Sequence, residues 1–145
     1  MEIIKKIKIG SAPFFECYED FTPTDTDWLC LVDGEKFKTH AFRAKIGNDD
    51  IILYNEIFTK EDFINEALEV GVPFKIGKFL VPEFIEAFGV TAEDLEILRP
   101  LIERLDDAHA YEKIIFDAYV ANGCFVLTDE QRRRAYHSYK AVRGK

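Results

Sequence analysis

The sequence predicts an α+β protein with a small mixed β-sheet in its N-terminal third and a helical C-terminal half. Three observations carry this. A continuous apolar run of strand length, Trp28-Leu29-Cys30-Leu31-Val32, lies between Asp27 and the turn pair Asp33-Gly34. A second apolar run, Ile51 to Tyr54, follows the turn-forming stretch Gly47-Asn48-Asp49-Asp50. Beyond Asn55 the apolar residues recur every three or four positions, the spacing of a helix that buries one face. The 145 residues, 48% of them apolar and including 13 Phe, 6 Tyr and one Trp, suffice for the core of one ordinary domain and exclude disorder as the main state. A single domain over 1–145 is expected, with 1–58 forming the sheet core and 59–145 a helical portion packed on it.

The elements follow in order. Ile3, Ile4, Ile7 and Ile9 leave the first segment open between a strand and a short helix leading into one. Gly10-Ser11-Ala12-Pro13 breaks that run and opens a helix, Ser11 capping it and Pro13 in the first turn, where a missing N–H costs nothing. Phe14, Phe15, Cys17, Tyr18 and Phe21 give its apolar surface, and Thr22-Pro23-Thr24 ends it. Trp28 to Val32 is then a buried central strand, flanked by a hairpin made of Lys36 to Ile46 and Ile51 to Tyr54. Thr59 with Asp62 makes a capping box for a helix whose face is Phe63, Ile64, Ala67 and Leu68, stopped by Gly71 and Pro73. Lys75 to Phe88 is a second helical stretch interrupted by Pro82. Thr91 caps a third running through Leu95, Leu98, Leu101, Ile102 and Leu105. A fourth covers Ala108 to Ala121 and ends at Asn122-Gly123, and Thr128 with Gln131 caps a fifth reaching Val142.

Charge and cysteine usage narrow the partners. The chain carries 27 acidic and 19 basic side chains, a formal −8, with a pI near 4.9. Residues 131–145 hold Arg132, Arg133, Arg134, Lys140, Arg143 and Lys145 with no acid, leaving 13 basic against 27 acidic side chains, −14, in the first 130. That balance argues against a general nucleic-acid coat, while a contact through the basic C-terminal helix stays open. Cys17, Cys30 and Cys124 form neither a disulfide framework nor a CxxC site, so reduced thiols in a cytoplasm fit best. No apolar h-region opens the chain and no run of about 18 apolar residues occurs, so neither a secretion signal nor a membrane span is expected.

The sharpest constellation is Gly10-Ser11, a gap of 13 residues, then Asp25-Thr26-Asp27 at the head of the apolar strand. Carboxylates at i and i+2 on a strand point to one side and suit a hard divalent cation. A Gly-Ser turn at a helix start offers backbone N–H groups and a hydroxyl to phosphate. Asp50, just before Ile51-Ile52-Leu53, is placed to bring a third carboxylate from a neighbouring strand, with Asp49 its close competitor.

This order of residues resembles the pattern of the nucleotidyltransferase-fold superfamily, most closely its small nucleotidyltransferase-like proteins of bacteriophages. The resemblance covers about residues 7 to 55. It implies that Gly10 and Ser11 hold the triphosphate of a nucleoside triphosphate. By the same resemblance Asp25, Asp27 and Asp50 ligate two Mg²⁺ ions, one acid helping to activate an acceptor hydroxyl on a protein, an RNA or a small molecule. Family members commonly carry a basic residue soon after the Gly-Ser pair, whereas this chain has Ala12-Pro13-Phe14-Phe15. Phosphate neutralisation then falls to Arg43 and Lys45, or to Lys75 and Lys78. The departure also supports a second reading, a non-catalytic protein–protein interaction module on the same fold.

The remaining chemistry-bearing residues read more plainly. His40, His109 and His137 share no metal-ligand spacing, and Asp106-Asp107 with His109 lacks the further ligands of a metal-dependent phosphohydrolase. Tyr111, Tyr119, Tyr136 and Tyr139, with Phe116 and Phe125, read as packing between antiparallel helices ahead of base stacking.

Overall fold

The computed structural model describes residues 3–22, 25–33, 42–71 and 76–143, with the side chains of Phe42 and Arg43 outside the description. The chain divides into two compact units, Met1–Asp62 and Phe63–Lys145. The fold is α+β, as the sequence predicts: a four-stranded mixed sheet in the first unit, followed by helices.

The sheet comprises β1 (Ile3–Ile9), β2 (Thr26–Val32), β3 (Phe42–Ile46) and β4 (Asp49–Asn55), in the order β1-β2-β4-β3. β1 runs antiparallel to β2, β2 parallel to β4, and β4 antiparallel to β3. The order follows from composition. The two strands with continuous apolar runs are central. The two with interleaved lysines, Lys5, Lys6 and Lys8 on β1 and Lys45 on β3, lie at the edges, where charge discourages pairing with another chain.

The hairpin loop is shorter than the sequence suggests. Only Gly47 and Asn48 turn, Gly47 at φ +62°, and Asp49 and Asp50 already belong to β4. A two-residue loop matches the twist of its flanking strands, so the ladder closes two residues earlier. Of the expected segment Lys36 to Ile46, residues 36–41 lie outside the described residues, as do Gly34, Pro23 and Thr24.

The first helix, α1 (Ala12–Phe15), is a single turn that buries Phe14 and Phe15, while Cys17 is exposed. With Ile7, Ile9, Leu29, Cys30, Val32 and Tyr54 these form the apolar interior of the first unit. α2 (Lys60–Val70) starts at the foreseen capping box: the Thr59 N–H donates to Asp62 Oδ2 at 2.9 Å and the Asp62 N–H to Thr59 Oγ1 at 3.2 Å. Phe63, Ile64 and Ala67 are buried as expected, but Leu68 is 45% exposed, one step round the helix from the buried stripe. Gly71 ends α2 at φ +66°; Pro73 lies outside the described residues.

Pro82 begins a helix where an interruption was expected. A 3-10 turn (Gly77–Leu80) leads to extended Val81, and α3 (Pro82–Phe88) has Pro82 in its first turn, where its fixed φ suits the helix. Phe63, Phe79, Phe84 and Phe88 form a knot of rings, with edge-on pairs at 5.2 to 5.4 Å between centroids. α4 (Ala92–Ile102) opens on a reciprocal Thr91/Asp94 box and stops short of Leu105. A 3-10 turn (Asp107–His109), capped by the Asp106 side chain, precedes α5 (Ala110–Asn122), which therefore starts two residues after the expected Ala108 and ends at Gly123 in the left-handed region. α6 (Asp129–Arg143) opens on the Thr128/Gln131 box. Among the described residues no helix is long and apolar enough to cross a membrane.

Candidate functional site

Strand register assembles the predicted residues at one end of the sheet in the first unit. Ile9 on β1 pairs with Asp27 on β2, Asp27 with Asp50 on β4, and Asp50 with Lys45 on β3. These four positions form one row across all four strands, and residues paired in a row share a face, with neighbours roughly 4.8 Å apart across the ladder. Asp27, Asp50 and Lys45 are thus on the same face. Asp49 pairs with Thr26 and Ile46 in the next row, so it takes the opposite face, and Asp50 is the carboxylate that accompanies Asp27.

Gly10 closes the row at the β1 end. It leaves the strand at φ +80°, and a Cβ built there would lie 2.7 Å from Asp27 Oδ2. Glycine is therefore required twice, by backbone conformation and by the carboxylate resting against it. Asp25 lies one residue before β2, whose first residue is Thr26, so the i, i+2 relation to Asp27 spans the strand's entry. Its Oδ1 is 2.9 Å from Lys45 Nζ, both groups being partly exposed, so solvent screens the pair.

The Gly10-Ser11 turn is poorer in donors than its sequence implies. Ser11 is the N-cap of α1, but its side chain makes no capping bond there. The N–H groups of Phe14 and Phe15 both donate to the Ser11 carbonyl at 3.1 Å, and Pro13 has none.

The other predicted phosphate partners are Arg43, Lys75 and Lys78. Arg43 has its backbone on β3 opposite Ile52. Lys75 lies outside the described residues. Lys78 is in the second unit, 5% exposed, with its ammonium over the rings of Phe79 at 5.6 Å and Phe63 at 5.9 Å. Among the described residues no group of three or more His, Cys, Asp or Glu side chains is arranged to hold a metal ion.

Outside this row, His40 lies beyond the described residues, His137 is exposed, and His109 Nδ1 is 2.7 Å from Asp106 Oδ1. The aromatic residues of α5 and α6 pack as helical spacing suggests. Tyr111 and Tyr136 are buried, and the Tyr119 hydroxyl donates to the Leu80 carbonyl at 2.8 Å. Tyr139 meets Tyr111 edge-on at 5.4 Å. Cys30 is buried, which pushes its thiol up, and Cys17, Cys30 and Cys124 are free.

Three features escape the sequence reading. Lys6 Nζ sits 4.2 Å and Lys8 Nζ 5.3 Å from the Trp28 ring, all on the face opposite Asp27. The Trp28 indole N–H is shielded from solvent with no hydrogen-bond partner among the described residues. In the second unit Glu112 is 4% exposed, and its carboxyl is pushed up to about 8, first by burial. Glu112 had a signal: with Ile115, Phe116 and Tyr119 it falls at i, i+3, i+4 and i+7, on the buried stripe. Comparison with protein-family models, with curated proteins and with solved structures gives no match.

Proposed function

We propose that the first unit binds a nucleoside triphosphate at the Gly10, Asp27, Asp50 and Lys45 end of the sheet and transfers its nucleotide to an acceptor hydroxyl. The observation that supports this reading is the register row itself. Two carboxylates from residues 23 positions apart in sequence are paired side by side on parallel strands, with a lysine next in the row.

Each residue has a role in that reading. Asp27 and Asp50 supply the hard oxygen donors that suit Mg²⁺, and Asp25 joins them when Lys45 exchanges its carboxylate partner for phosphate. Bound there, Mg²⁺ would offset charge on the reacting phosphate. Gly10 has no side chain to obstruct the close approach of a phosphate to the strand end, and Ser11 follows it at the head of α1 to hold the triphosphate. Lys45, with Arg43 on the same strand, neutralises the triphosphate. One carboxylate accepts the acceptor's proton as its oxygen bonds to the α-phosphorus, and the α–β phosphoanhydride bond breaks to release pyrophosphate. The acceptor is a hydroxyl on a protein, an RNA or a small molecule.

A second reading rests on the Lys45–Asp25 ion pair, which already neutralises one of the three carboxylates. In it the same fold is a non-catalytic interaction module. A thermal melt separates the two. Ligand at a hundredfold excess over its Kd stabilises a protein by about 2.7 kcal/mol, a shift of several degrees in a chain of this size. With Mg²⁺ and the preferred member of the four ribonucleoside triphosphates, the wild type shifts by that amount and Asp25→Ala/Asp27→Ala does not. Indifference to all four in the wild type selects the interaction module.

A further inference from the structure

Glu112 sits in the first turn of α5 with 4% of its surface exposed, and its Oε2 has no hydrogen-bond partner among the described residues. Its carboxyl lies directly on Gly77: a Cβ built there would meet Glu112 Oε1 at 3.0 Å and Cδ and Oε2 at 3.1 Å. Gly77 has an ordinary negative φ, so a side chain there would be resisted only by its crowding against the Glu112 carboxyl. The contact joins α5 to the 3-10 turn Gly77–Leu80, whose every residue is buried and whose Leu80 carbonyl accepts the Tyr119 hydroxyl of the same helix.

The charged and titratable groups around the carboxyl come from each neighbouring element. Lys78 is on the 3-10 turn, Tyr111 precedes Glu112 on α5, and Arg143 is on α6, donating to the Ala108 carbonyl at 3.0 Å. Asp106, paired with His109, precedes α5. Lys78, Arg143 and Tyr111 favour the ionised carboxylate and Asp106 opposes it, yet burial outweighs all of them. An ionised Glu112 would place a desolvated charge against the backbone of Gly77, whereas the neutral acid fits there.

We propose that Glu112 is a proton-dependent latch. With its proton it closes the 3-10 turn Gly77–Leu80 onto α5; without it the turn opens and uncovers the Phe63, Phe79 and Phe84 rings. The latch belongs to the second unit and does not depend on the nucleotide reading. Nothing but a proton is exchanged: it leaves the carboxyl for solvent and returns from it.

Amide hydrogen exchange across the pH range, corrected for the intrinsic base-catalysed rate, tests this on the full chain. The amides of Phe79 and Val81, which bond within the turn to Ile76 and Lys78, report on it. In the wild type their protection falls at least about tenfold between about pH 6 and pH 9, and in Glu112→Gln, which keeps the neutral shape, it stays constant. An equal fall in Glu112→Gln, or no fall in the wild type, overturns the latch. A ¹³C titration of the glutamate carboxyls in the wild type needs no variant and covers the case in which Glu112→Gln does not fold. A midpoint for Glu112 near 8 together with the loss of protection supports the latch, and a midpoint in the usual carboxylate range overturns it.

Discussion

At Gly10 a single missing Cβ decides whether Asp27 keeps its place. An L residue at φ +80° carries strain of roughly 1–2 kcal/mol, and here the new carbon also lies 2.7 Å from Asp27 Oδ2. Gly47 separates the two costs, because its φ is +62° but a Cβ there meets nothing within 4 Å. Gly47→Ala therefore costs the backbone strain alone, and Gly10→Ala costs measurably more in a denaturant titration. In an Asp27→Ala background, where the oxygen is gone, Gly10→Ala falls to the Gly47→Ala value. A Gly10 penalty unchanged by Asp27→Ala would mean that the carboxylate does not rest on the glycine. Sequence spacing brought Gly10, Asp25, Asp27 and Asp50 into one constellation and named Lys45 as a phosphate partner. What it could not give was the choice between Asp49 and Asp50, because side-chain direction depends on register, and register on pairing between distant segments. Nor could it give the Lys45–Asp25 pair, which depends on the same ladder.

Among the elements, the helices were the more legible. Their starts are local devices: the boxes at Thr59/Asp62 and Thr128/Gln131 form where the sequence places them, and the Thr91 cap it also places proves to be a third reciprocal box, closed by Asp94. Thr91 is a clean probe because α4 buries Leu95, Leu98, Leu101 and Ile102 behind it. Thr91→Ala removes the acceptor for the Asp94 N–H and costs about 1 kcal/mol of stability. Thr91→Ser keeps the oxygen and costs a few tenths at most, so equal losses in the two variants would assign the effect to the methyl group's packing. Sequence reading failed at the elements where a local signal had two outcomes. Proline stops one helix and starts another with the same ring, and Pro82 does the second because Val81 before it is extended. Asp49-Asp50 reads as turn chemistry but continues a strand, since the ladder with β2 and β3 overrides local preference.

Across the whole chain, the formal −8 conceals a −14 stretch followed by a +6 tail, and the structure decides how much of that tail can meet a polyanion. Arg143 donates to the Ala108 carbonyl and stacks at 4.0 Å on Tyr139, and Lys140 sits 4.5 Å over the ring of Tyr136. Arg132 is half-buried, whereas Arg133 and Arg134 are exposed on consecutive positions of α6. Each phosphate neutralised contributes about −0.9 to the slope of log K against log salt on duplex DNA. If α6 met DNA through all five of its basic residues the slope would approach about −4.5, but two exposed arginines give about −1.8. The expected result, from fluorescence anisotropy across a salt series, is weak binding with a slope near −2 that vanishes in Arg133→Ala/Arg134→Ala. The acidic remainder of the chain repels the same polyanion, which lowers the affinity without steepening the dependence. A slope of −4 or steeper would require Lys140 and Arg143 to leave their tyrosines for phosphate, and the α5–α6 packing around Tyr111 and Tyr139 would have to rearrange on binding.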